Sequence, residues 1–119
     1  MSCASTRFII NKGMTNEFIL TIKQQGSIEA MKIGSNDTFK AKLFNLETNK
    51  EVLNAITVTV ESALEGKIKL SFGDVNSLIS ERGEKEDRYY LKPTYRIVLD
   101  CNTKSNGSFV AKIPYVYVE

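Results

Sequence analysis

The stretch Tyr90–Asn102, YLKPTYRIVLDCN, decides the fold. An extended chain points alternate side chains to opposite faces. Tyr95, Ile97, Leu99 and Cys101 therefore share one side, and Arg96, Val98 and Asp100 the other. The run ends in the turn signal Asn102–Gly107 (NTKSNG), so it reads as a central strand with shorter strands packed around it. Within it, Leu91 and Pro93 bend the chain into the strand and Tyr95 anchors it.

Working outward, the same period of two recurs. Glu17–Lys23 places Phe18, Leu20 and Ile22 inward, and Thr38–Leu46 sets Phe39, Ala41 and Leu43 against Lys40 and Lys42. Ala55–Glu61 turns Ile56, Val58 and Val60 inward; Lys67–Phe72 does so with Ile68, Leu70 and Phe72. Arg7–Asn11 is a short apolar run before the turn signal Lys12-Gly13, and Ile28–Ile33 reads as a brief strand. Ser108–Val118 reads as the last strand, with Phe109, Ala111, Ile113, Tyr115 and Tyr117 on one face. Pro114 removes a ladder donor there, which predicts an edge position or a bulge. Val75, Leu78 and Ile79 recur at helical spacing behind Asp74 as N-cap, which predicts one or two helical turns near residues 74–80, ended by the charged segment Glu81–Asp87. Seven or eight short strands separated by turn signals, with one short helix, predict an all-β sandwich occupying residues 1–119 as a single domain.

A chain of 119 residues buries a core without metal or disulfide staples. Its 16 basic and 14 acidic side chains leave a net charge of +2, with the cations scattered through strands, so nucleic acid is not an expected partner. No apolar run approaches the ~20 residues of a membrane helix, and the opening residues carry no export signal. Cys3 and Cys101 read as two thiols in a reducing compartment, Cys101 as a small core residue; a Cys3–Cys101 bridge is the alternative.

Histidine is absent, which removes the commonest general base and metal ligand. Two distant cysteines do not make a zinc site, and Gly66, Gly73 and Gly83 stand alone without a phosphate-binding pattern. The chain is expected to be no enzyme and to need no cofactor or metal. Glu81, Glu84, Glu86 and Asp87 are interleaved with Arg82, Lys85 and Arg88, the pattern of a self-paired surface loop rather than a calcium site. Phe44 and Leu46 on a lysine-bearing face, and Val116 and Val118 opposite the tyrosines, are left outside by the pattern and are candidate interface residues; cover by a loop is the alternative. Tyr115 and Tyr117 are candidates for a glycan-stacking platform, joined by Tyr95 if the last two strands pair.

The order EFILTIK, DTFKAKLFNLETNKEV, ITVTV, GKIKLSF, VNSLIS and RGEKEDRYYLKPTYRIVLDCNTKSNGSFVAKIPYVYVE, spanning Asn16 to Glu119, resembles the small immunoglobulin-like virion proteins of tailed bacteriophages. These include the amino-terminal domain of baseplate upper proteins, whose long carboxy-terminal extension has no counterpart here. The resemblance implies an immunoglobulin-like sandwich, a virion location on head, neck, tail or baseplate, and partners among other virion proteins or copies of itself. It carries over no functional residue. A carbohydrate-binding module using Tyr115 and Tyr117 is the rival expectation.

Overall fold

A computed structural model describes residues 8–23, 31–85, 88–104 and 107–119. Among them the chain forms β1 Phe8–Ile10, β2 Asn16–Thr21, β3 Thr38–Asn45, β4 Glu51–Val52 and β5 Ile56–Ser62. It continues with β6 Lys67–Phe72, β7 Arg82–Lys85, β8 Arg88–Leu91, β9 Pro93–Thr103 and β10 Gly107–Val118. They make a five-stranded sheet in the order β1-β10-β9-β3-β4, a three-stranded sheet β2-β6-β5 and a separate ribbon β7-β8. The fold is all-β.

β9 is central, with β3 and β10 antiparallel on its two sides. Its inward set is the expected one: Tyr95, Ile97, Leu99 and Cys101 are buried. They join Leu43 of β3, Ala111 and Ile113 of β10, and Ile68, Leu70 and Phe72 of β6 in one hydrophobic cluster fed by both larger sheets. Phe8 bridges the two, its ring 4.0 Å from that of Phe18 and 6.1 Å from that of Phe72. Such aromatic clusters add to the area they bury because offset and edge contacts suit the ring quadrupoles. Cys3 lies outside the described residues, as do Ile28 to Ala30 of the brief strand expected at 28–33. Met31 and Ile33 are buried but join no ladder; their N–H groups donate to the carbonyls of Ile22 and Ala63 at 2.8 and 2.9 Å.

Two expectations are corrected. The helix near residues 74–80 is absent. Its backbone groups go elsewhere: Asp74 Oδ1 accepts from the Asn76 N–H at 3.0 Å, and a single tight turn joins the Leu78 N–H to the Val75 carbonyl. Ile79 then donates its N–H to the Tyr95 hydroxyl at 3.0 Å and accepts from the Thr94 hydroxyl at 3.2 Å. A helix this short cannot recover its nucleation cost, whereas the turn still buries Val75 and Leu78. The spacing that looked helical is the spacing of one turn over the core.

The second correction concerns the charged segment. Arg82–Lys85 pairs with Arg88–Leu91 as a hairpin, with Gly83 opposite Tyr90. A Cβ at Gly83 would meet the Tyr90 ring at 2.6 Å, so the tyrosine lies over the glycine. That packing stabilises a ribbon whose charged residues disguise its strand character. Glu86 and Asp87 lie outside the described residues.

Pro114 behaves as expected of a bulge. The β9–β10 register breaks between Ile113 and Val116, where proline has no N–H to give. Pro114 and Tyr115 are both exposed, and the chain re-enters the ladder with its phase reversed. β1 then lies parallel on the outer side of β10, pairing Phe8 with Val116 and Ile10 with Val118.

Tyr95→Phe removes the acceptor of the Ile79 N–H and should cost about 0.5–1.5 kcal/mol in urea unfolding, the net worth of one part-buried hydrogen bond; a change near zero would mean water replaces the hydroxyl. Asp37 accepts the N–H groups of Gly34 at 2.7 Å and Lys104 at 3.0 Å, and these bonds hold its carboxyl below the usual range. A carboxyl depressed in the folded state stabilises above its unfolded pKa, and that gain fades as pH falls through the folded value. The stability gap between wild type and Asp37→Asn should therefore be larger at pH 7 than at pH 3.

Candidate functional site

Strand pairing gathers exposed side chains on the outer face of the five-stranded sheet, as it does on the three-stranded sheet, where Ile19 is exposed in register with Lys69. Because β3, β9 and β10 are in register, Lys42, Val98 and Lys112 form one row across three strands, and Lys40, Asp100 and Val110 the next. Phe44 and Arg96 continue the surface toward β4, where Glu51 pairs with Phe44. Beyond the bulge stand Tyr115, which is 59% exposed, and the half-buried Tyr117, with Ile9 of β1 beside it in register.

Several of these side chains are held. The Arg96 guanidinium lies 4.8 Å from the Phe44 ring centroid and donates to Asn49 Oδ1, so a cation–π contact and a hydrogen bond fix it together. Lys42 Nζ is 3.7 Å from Asp100 Oδ2, an exposed pair of small energetic worth. The strands of this face carry Lys40, Lys42, Arg96 and Lys112 against Asp100 and Glu51.

The outer face of the three-stranded sheet is different. Lys69 Nζ sits 4.0 Å from Glu17 and 3.9 Å from Glu61, with one glutamate on each neighbouring strand. Lys67 pairs with Glu65 at 2.8 Å, which lowers the Glu65 carboxyl and raises the Lys67 ammonium from their ordinary values. Its charges answer one another.

The expected site residues separate accordingly. Phe44 is on the outer face but partly covered by Arg96. Leu46 is half-buried at the sheet's end, lining a cleft with Ile79, Glu81, Pro93 and Thr94, its N–H donating to the Thr94 carbonyl at 2.9 Å. Val116 and Val118 are corrected: both are completely buried, because the Pro114 bulge reverses the strand's phase and turns them into the core. The same reversal puts Tyr115 and Tyr117 outside, away from the inward Tyr95, so Tyr95 joins no tyrosine platform. The sequence reading missed Arg96, Val98, Val110 and Lys112 as members of one surface. Their outward direction was readable along β9, but their adjacency depends on register.

Among the described residues no group of three or more acidic, cysteine or histidine side chains is placed to hold a metal. No buried side-chain polar atom among them is left without a hydrogen-bond partner. Among the described residues no helix is long and apolar enough to cross a membrane. No family model matches the chain, and no curated protein matches it.

Proposed function

We propose that the chain is a non-enzymatic structural protein of a tailed-phage virion, an immunoglobulin-like domain that acts by protein–protein assembly. The observation that carries the assembly reading is the outer face just described, an open sheet surface with exposed aromatic and aliphatic side chains among cations. The immunoglobulin-like reading draws support from strand order: β2, β6 and β5 fall in the places of strands B, E and D, and β3, β9 and β10, with β4 beside them, in those of C, F, G and C′. Tyr95 near the start of β9 resembles the tyrosine corner, which bonds backbone a few residues upstream, whereas here the intervening β7–β8 ribbon puts the bonded Ile79 N–H sixteen residues back. In that reading Ile97 takes the position of the second cysteine, and the β7–β8 ribbon is an addition. The virion location rests on the sequence resemblance.

Two measurements test this reading. Light scattering across a concentration series should show a mass that rises with concentration, or purified phage particles should retain the protein on co-sedimentation. A strict monomer that also fails to bind virions would overturn it. A second reading, binding of host-surface glycans, is favoured by the exposure of Tyr115 beside Tyr117 at the bulge. It predicts glycan-array binding that disappears in Tyr115→Ala.

A further inference from the structure

We propose that the outer face of the five-stranded sheet binds a partner protein whose contact surface is acidic around an apolar centre, and that this partner is not a second copy of the chain. The inference rests on the assembly reading and names the partner's chemistry. Charge is the first argument. The strands of this face carry four cations against two carboxylates, a net +2 that equals the formal charge of the entire chain. The cations are spread over three strands: Lys40 and Lys42 on β3, Arg96 on β9 and Lys112 on β10. Neighbouring strands lie ~4.8 Å apart, so Lys42 and Lys112 flank Val98 about 10 Å from each other. A complementary surface would set carboxylates around an apolar contact with Val98.

The apolar component separates a protein from a bare polyanion. Val98 and Val110 stand in the rows with the lysines, and Tyr115 rises at the bulge. Tyrosine and arginine are enriched at the energetic centres of protein interfaces. Phosphate backbones reward cations and offer nothing to valine.

The charge of this face also disfavours a second copy. Two such faces meeting about a twofold axis would set net +2 against net +2, with the lysines flanking Val98 brought toward their counterparts. The other broad face offers no surplus of anions either, because its strands carry Glu17 and Glu61 against Lys67 and Lys69, and both glutamates converge on Lys69. Once the +2 of this face is taken from the +2 of the chain, the rest of the molecule has no net charge, so we assign the partner's carboxylates to a different chain.

The test uses the full chain, isotopically labelled, with three defined probes: a glutamate–tyrosine copolymer, polyglutamate and a short DNA duplex. The copolymer should shift amide signals of Val98, Val110, Lys112 and Tyr115, and should bind at least threefold more tightly than polyglutamate. Lys42→Glu with Lys112→Glu turns the face from +2 to −2 and should weaken the copolymer at least tenfold; both positions are exposed, so the proton spectrum should stay folded. Tyr115→Ala should weaken the copolymer but not polyglutamate. Equal binding of the copolymer and polyglutamate, tighter binding of DNA, shifts centred elsewhere, or unchanged binding by the charge-reversed variant would each overturn the proposal. Virion co-sedimentation separates this result from the assembly reading. Particles that bind wild type and charge-reversed protein equally would sink this face and leave assembly standing. Copolymer binding on this face without virion binding would do the reverse.

Discussion

Val116→Asp should leave the protein unfolded at 25 °C, while Tyr115→Asp, one residue away, should shift the urea midpoint very little. Val116 is completely buried between Phe8 of β1 and Tyr95 of β9, and Tyr115 is more than half exposed. Losing the valine side chain forfeits about 1.5–3 kcal/mol of apolar burial. An aspartate there must also be buried as a charge, at a penalty of several kcal/mol, or be protonated at comparable cost. Together these consume most of the 5–15 kcal/mol by which a domain is stable. A surface change such as Tyr115→Asp usually stays within about 0.5 kcal/mol. Circular dichroism and urea titration of the two variants decide the matter. If the strand ran without its bulge, the sensitivities would be exchanged.

That reversal marks where reading by periodicity stops. Along β2, β3, β6 and β9 the alternation had one solution, and Phe18, Leu43, Ile68, Leu70, Ile97 and Leu99 all point where a period of two sends them. Ser108–Val118 offered two solutions of nearly equal quality, since valines and tyrosines alternate after Pro114. The proline signalled a break but not its size, and an extra residue in the bulge exchanges inside for outside. The β7–β8 ribbon was hidden for a different reason. A two-stranded ribbon with both faces in water needs no apolar alternation, so its residues looked like a loop. The missing helix shows the converse: Val75 and Leu78 satisfy both a helix and a single turn, and the side chains that claim the Ile79 backbone sit about fifteen residues downstream.

The candidate face was legible in pieces. That Lys40, Lys42, Arg96 and Val98 point outward followed from alternation, yet nothing along the chain says that Lys42 and Lys112, seventy residues apart, share a row. Nor does it say that Arg96 reaches Asn49 in the turn before β4. A surface made by strand pairing is written in register, and one sequence carries register only through the buried face that enforces it.

Gly66→Ala should be the most damaging substitution of a small residue by a slightly larger one, costing about 3 kcal/mol or more. Gly66 ends the turn between β5 and β6 at a φ of +66°. A side chain in that left-handed region costs about 1–2 kcal/mol. The space is also taken: a Cβ would lie 2.4 Å from the Met31 carbonyl oxygen and 3.1 Å from that of Ile22. Both are backbone atoms, so no rotamer change relieves the contact. Relief requires the segment at Met31 to withdraw, which strains the 2.8 Å bond from the Met31 N–H to the Ile22 carbonyl and the 2.7 Å bond from the Ile22 N–H to the Gly66 carbonyl. Each such bond is worth about 1 kcal/mol when made, and more when one partner is left buried and unsatisfied. Gly13 and Gly107 supply the control. Their φ values are +77° and +71°, yet a Cβ at either meets nothing within 4 Å. Gly13→Ala and Gly107→Ala should therefore show the conformational cost alone, about 1–2 kcal/mol, and the excess at Gly66 measures the collision. Equal losses at all three positions would mean that the Met31 segment yields freely, and that Gly66 is kept for its dihedral angle instead of the chain that passes over it.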